Sequence, residues 1–146
     1  MNLEDLFILI QDKLKVLPDI SWVDQNIGQL DVDTRPAVSF PCALISIDLP
    51  RCEELGGKLQ KCSTQVGIRL GFNYAGTSAA KSPEVVRARA LDYYRILREV
   101  YKALQGYSEP GLSRLRRISQ VEMAREDQIK IVDMTFYCEF HDSSAV

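Results

Sequence analysis

Acidic residues and a single histidine are the side chains of this 146-residue chain best suited to catalysis. The adjacent pairs Glu53–Glu54 and Glu126–Asp127 supply the group used in general acid and base catalysis. His141 is the one candidate base for a serine or cysteine nucleophile, and such a base needs a third group to orient it. Both acidic pairs lie in polar segments typical of turns, and His141 follows a strand pattern. We therefore predict no catalytic residues and a non-enzymatic protein.

The four cysteines are spaced too widely for a closed zinc site. Such sites draw on Cys-x-x-Cys pairs or on clustered Cys and His ligands, and the sequence has neither. Cys62 and Cys138 fall on the apolar side of strand patterns, where a free thiol behaves as a small hydrophobic group. We predict no metal site.

Gly56, Gly57 and Lys58 resemble part of a phosphate-binding loop. The Walker motif requires four residues between its glycines, and a serine or threonine after the lysine at the start of a helix. Here Leu59 follows the lysine, and a strand pattern follows in place of a helix. We predict no cofactor.

Arginines are the side chains best suited to binding a partner, because the planar guanidinium makes paired hydrogen bonds and is enriched at interfaces. The candidate interaction residues are Arg69, Arg87, Arg95, Arg98, Arg114, Arg116 and Arg117. The net charge of −2 gives no overall attraction to nucleic acid or anionic lipid, which favours protein partners. Two alternatives remain: a nucleic-acid-binding accessory protein that uses the basic strand at 114–117, and an enzyme that uses the acidic loops.

The order of hydrophobic patterns predicts an α+β fold in a single domain, residues 1–146. The first half predicts a helix from Leu3 to Lys15, capped by Asn2 and ended before Pro18. Further segments are a short strand at 20–24, a polar loop at 26–36, a strand at 42–48, a mobile polar loop at 50–59 and a strictly alternating strand at 62–74. Such alternation favours an antiparallel sheet with helices on one side.

The second half predicts one long helix and a hairpin. The helix is capped by Ser82 and runs to Leu104, after a small-residue linker at 76–82. Strands at 112–124 and 128–140 form the hairpin, and residues 141–146 form a frayed tail. The predicted order is therefore α-β-β-β-α-β-β, a small and mostly antiparallel sheet packed by two helices.

The sequence gives no sign of membrane association. No apolar run approaches the roughly 18 residues that a spanning helix needs. Glu4 and Asp5 stand where a signal peptide carries positive charge. We expect a protein made in the cytosol.

Three short strings and the order of elements resemble a known family. The strings are Gln29-Leu30-Asp31, Arg35-Pro36-Ala37-Val38 and Phe40-Pro41-Cys42-Ala43-Leu44-Ile45, followed by the alternating strand and the long helix. In this plan the chain resembles small tail proteins of bacteriophages and prophages, of the tail terminator, tail completion or minor tail type.

The resemblance implies a structural role. Such proteins have a small sheet flanked by helices, and they form a six-membered ring that ends the tail tube and meets the head connector. The implied partners are further copies of the chain, the tail tube protein and the head connector protein. The implied location is the bacterial cytoplasm during assembly and then the virion tail.

Overall fold

The computed structural model describes residues 1–32, 36–73, 76–125 and 127–146, which form helices around one five-stranded sheet. The helices are α1 (Leu3–Lys15), α2 (Glu84–Ala90) and α3 (Tyr93–Leu104). The strands are β1 (Trp22–Gln25), β2 (Cys42–Gly56), β3 (Leu59–Asn73), β4 (Arg116–Ala124) and β5 (Ile129–Asp142). The α+β class and the predicted order of elements are confirmed, with the second helix in two pieces.

The sheet has the strand order β1-β2-β3-β5-β4 and is mixed. β1 pairs with β2 in parallel, whereas the other three pairings are antiparallel. The prediction of a mostly antiparallel sheet missed this parallel pairing. Residues 26–41 make it possible, because parallel neighbours need a long connection that returns the chain to the same end of the sheet.

Helix α1 begins with a capping box, as the sequence predicts for Asn2. The Asp5 amide donates to Asn2 Oδ1 at 2.8 Å, and the Asn2 amide donates to Asp5 Oδ2 at 3.0 Å. Leu6, Ile10 and Leu14 form the buried stripe. These are local interactions, which is why the sequence alone identifies this helix.

The predicted continuous helix from Ser82 to Leu104 is wrong in two respects. Pro83 takes the N-cap position of α2, so Ser82 is not the cap. The chain also breaks between α2 and α3, where the Asp92 amide donates to the Arg89 carbonyl, three residues back. The apolar pattern continues across this tightened turn, so periodicity does not reveal the break.

The predicted mobile loop at 50–59 is also wrong. β2 and β3 continue through this segment to a two-residue turn, with Gly56 opposite Leu59. The turn residues Gly57 and Lys58 both have positive φ, 60° and 67°, as tight hairpin turns require. Polar residues form a strand here because both faces of the hairpin are open to solvent.

Most of the core lies between the sheet and the layer formed by α1 and α3. Alternate residues of β3 and β5 point into it, including Val66, Ile68 and Phe136. Leu97 and Val100 of α3 pack against them. We call this side of the sheet the helix face and the opposite side the outer face. The alternation predicted for β3 is confirmed from Cys62 to Phe72, and Tyr74 lies outside the described residues.

Described residues of the connection between β1 and β2 cover one end of the outer face. Leu30 packs there with Leu44 and Ile131 in a second, smaller cluster. Gly71 permits this close packing, because a Cβ atom at that position would lie 2.8 Å from Cys42 Sγ and 3.0 Å from Leu30 Cδ1. The outer face is thus only partly covered.

The predicted hairpin of β4 and β5 is confirmed, with shifted ends. β4 begins at Arg116 rather than at Leu112, and β5 extends through Asp142. His141 and Asp142, assigned to the tail from the sequence, are therefore strand residues. Fraying of residues 143–146 stays a prediction.

Candidate interaction surfaces

Arg69 forms an internal bridge on the sheet. It lies on the outer face of β3, directly opposite Asp133 of β5. Its Nε and Nη2 donate to the two oxygens of Asp133 at 2.8 and 3.1 Å, and its Nη1 donates to Asp31 at 2.7 Å. The hydrogen bonds to Asp133 raise the pKa of Arg69. The side chain is only 18% exposed, so it fastens the 26–41 connection to the sheet.

The helix arginines divide into one bonded residue and two free ones. Arg95 donates to Asp92 at 3.0 Å and to Asp19 at 2.7 Å, which joins α3 to the segment after α1. Arg87 and Arg98 are exposed, and each lacks an ion pair within the described part of the chain. The break between α2 and α3 places these two side chains on different helices.

Arg116 and Arg117 lie at the start of β4 on opposite faces of the sheet. The Arg116 guanidinium lies 4.8 Å from the ring centre of Tyr137, on the outer face. The Arg117 guanidinium lies 4.0 Å from the ring centre of Tyr101, on α3. Arg114 precedes the strand and is exposed. Each guanidinium covers one face of its tyrosine, which removes that face as a stacking site for a nucleic-acid base.

The acidic pair Glu53–Glu54 lies on β2 near the hairpin turn and not in a loop. Consecutive strand residues point to opposite faces, so the two carboxylates cannot act on one substrate atom. Glu53 shares the outer face with Lys61, at 3.6 Å, and with Arg51, at 2.9 Å. Of the pair at the β4–β5 turn, Asp127 bonds to Arg125, and Glu126 lies outside the described residues.

Two strand segments are exposed along their whole length, which alternation in the sequence does not predict. One is Arg116–Met123 of β4, and the other is residues 50–58 around the hairpin turn. Large apolar side chains are among them: Ile118 is 50% exposed, Val121 55% and Leu55 49%. β4 is the last strand of the sheet, so one of its edges has no strand partner within the described residues.

A cleft at the junction of α2 and α3 is a further feature that the sequence does not reveal. It has a volume of about 320 Å³, with Phe72 and Tyr93 among the residues that line it. Lys130 Nζ donates to Tyr93 Oη at 3.0 Å, and Tyr93 Oη donates to Glu122 at 3.2 Å. Burial, and then the hydroxyl of Tyr94, raise the pKa of Tyr93. The residues between α2 and α3, Leu91 and Asp92, are part of its lining.

The cysteines differ sharply in their environments. Cys42, Cys62 and Cys138 are buried, whereas Cys52 is exposed on β2 opposite Cys62. Burial raises the pKa of the Cys42 and Cys138 thiols to about 11. Burial and the neighbouring Cys52 thiol raise the pKa of Cys62 to about 12. Only the thiolate is nucleophilic. The three buried thiols are therefore unreactive for two reasons: reagents cannot reach them, and their raised pKa keeps them protonated.

We therefore expect one fast-reacting thiol in the native chain and four after unfolding. Titration with an aromatic disulfide reagent at pH 8, with and without guanidinium chloride, measures both numbers. Cys52→Ser should abolish the fast reaction, whereas Cys42→Ser should leave it unchanged. Two or more fast thiols in the native wild type would contradict the buried positions of the other cysteines.

No group of three or more His, Cys, Asp or Glu side chains suited to a metal ion occurs among the described residues. In the same part of the chain, no helix is long and apolar enough to cross a membrane.

Comparisons with known proteins identify the fold. No family model matches the sequence, and no curated protein matches it. Among solved structures, the chain is similar to a chain of the virion of a native gene transfer agent particle. The TM-score is 0.54 at 13% identity, and the match covers 94% of this chain and 95% of the other. At this identity the likeness concerns the fold.

Proposed function

We propose that this protein is a non-enzymatic structural component of a phage-like virion. More specifically, we propose that the chain forms a ring that completes the tail tube and joins the tube to the head connector by protein contacts. The observation that carries it is the likeness to a virion chain over 94% and 95% of the two chains. Nearly complete coverage of both chains supports a match of the whole fold rather than of a shared fragment.

The surfaces described above support a role in assembly. The edge of β4 that has no strand partner within the described residues offers backbone hydrogen bonds to a further chain. Exposed apolar residues such as Ile118 and Val121 lie on that strand next to arginines. Arginine is enriched at protein interfaces.

Deletion of the gene from the element that encodes it should remove control of tail length. If the chain ends the tube, the deletion should give tubes of widely varying length without attached heads. Electron microscopy of particles from the wild-type and deletion strains measures both properties. Supplying the wild-type gene in trans should restore uniform, head-bearing tails.

Normal particles from the deletion strain would contradict the tail role. Particles that lack tube material altogether would also contradict tube completion, and would favour an earlier structural role in the virion.

A further inference from the structure

We infer that copies of this chain join head to tail, with the hairpin arm of one subunit pairing with the outer edge of β4 of the next. The hairpin arm is the part of β2 from Arg51 to Gly56. The inference rests on the proposed ring, and it names the two surfaces that would form its subunit contacts.

Both surfaces are strand edges that lack a partner within the described residues. β1 pairs only with Cys42–Ile45 of β2, which leaves the rest of that edge open. Pro50, which has no N–H to donate, lies at the register shift between Asp48 and Arg51, before the hairpin arm begins. β4 contains neither proline nor lysine, two residues that natural edge strands use to prevent pairing. It has one bulge, between Arg117 and Ser119, so its regular edge runs from Ser119 onward.

Strand direction suits this pairing. β2 is antiparallel to β3, β3 to β5 and β5 to β4, so β2 and β4 run in opposite directions. A neighbouring subunit that continues the sheet with its helices on the same side would therefore place its hairpin arm antiparallel to β4. The start of β4 would then meet the end of the hairpin arm.

The charges at these positions are complementary on both faces. On the outer face, Arg116 stacks on Tyr137 and Glu53 pairs with Lys61. On the helix face, Arg117 stacks on Tyr101 of α3. Glu54 follows Glu53 along the strand, so it too points to the helix face.

With Arg116 opposite Glu53 of the next subunit, the antiparallel register places Arg117 opposite its Cys52. Glu54 then lies two residues further along the same face, at the diagonal position that long side chains reach. Opposite charges on one face of paired strands are favourable, and like charges are not. Exposed apolar residues also lie along these two edges, among them Leu55 on the hairpin arm and Ile118 and Val121 on β4.

The contact requires a displacement between neighbours along the strands. Within one chain, Arg116 of β4 and Asp48 of β2 lie at the same height across the sheet. Arg116 is opposite Tyr137, Tyr137 is opposite Gln65, and Gln65 is opposite Asp48. Pairing Arg116 with Glu53 of the next subunit shifts the two copies by about five residues, or ~15 Å. Closed sheets of tilted strands have such a stagger. The two different surfaces make the interface heterologous. This type of interface generates a ring where the rotation between neighbours closes, and an open filament where it does not.

Charge reversal tests the inference with light scattering after size exclusion. The wild type should form a ring of about six 16.5 kDa chains. Glu53→Lys/Glu54→Lys and Arg116→Glu/Arg117→Glu should each shift the mass to that of the monomer. Mixing the two variants should restore the ring, because each reversed edge then meets a reversed partner. A misfolded variant would not recover on mixing.

Two matched variants control for net charge. Glu4→Lys/Glu84→Lys and Lys81→Glu/Lys102→Glu change the charge equally at exposed helix and linker positions, and both should keep the ring. A ring that survives both edge reversals would overturn the edge pairing and leave the ring itself standing. A wild type that stays monomeric at every concentration would also overturn it. Loss of length control in the deletion strain would still support the tail role in either case.

Discussion

Replacing Phe136 with alanine should lower the free energy of unfolding by about 3–5 kcal/mol. Phe136 lies at the centre of β5, is fully buried, and points into the layer between the sheet and α3. Its removal leaves a cavity that the paired strands on either side cannot close. Urea denaturation followed by circular dichroism measures the change.

Ile27→Ala provides the matched control for a large apolar side chain. Ile27 is 77% exposed, so its truncation should change the free energy of unfolding by less than about 0.5 kcal/mol. Similar losses for both variants would mean that Phe136 does not lie in the main core.

Replacing Arg69 with methionine should lower the free energy of unfolding by about 2 kcal/mol. Methionine keeps much of the volume but leaves Asp133 without its two hydrogen bonds from Arg69, and Asp31 without its link to the sheet. The connection between β1 and β2 should also detach more readily. Urea denaturation measures the first effect, and limited proteolysis within residues 26–41 measures the second.

Arg98→Met separates a structural role from a loss of charge. Arg98 is exposed on α3, so its replacement should cost less than about 0.5 kcal/mol and leave proteolysis unchanged. If Arg69→Met behaved like this control but abolished assembly, Arg69 would be a partner contact, as the sequence analysis predicts, and not a bridge.

The sequence predicts seven arginines as candidate interaction residues, but it does not show which of them form ion pairs within the chain. Arg69 and Arg95 are occupied by carboxylates of the same chain, whereas Arg87 and Arg98 point to solvent. Asp133 lies 64 residues from Arg69, so their pairing depends on strand order, which no local pattern records. Whether any of these arginines contacts a partner stays a prediction.

The hairpin at residues 50–59 and the break between α2 and α3 are both invisible to the pattern of hydrophobic residues. Residues 50–59 are polar because the hairpin projects beyond the core, and backbone hydrogen bonds, not apolar burial, define the strands there. The break between α2 and α3 preserves the apolar pattern on both sides. The pattern of hydrophobic residues indicates which side of a segment is buried. It gives no information on a strand that is exposed on both faces, or on a helix break that keeps the same side buried.

The sequence by itself determined α1, the alternating strand β3, the β4–β5 hairpin and hence the α+β class. Helix α1 and the hairpin depend on interactions between residues close together in the chain, such as the capping box of Asn2 and Asp5. The strand β3 is recorded by the alternation of its own residues. Tertiary structure alone decided the strand order, the parallel pairing of β1, the bridge at Arg69 and the two open edges. These depend on which distant segments meet, because an edge is open or covered only with respect to the strands that pack beside it.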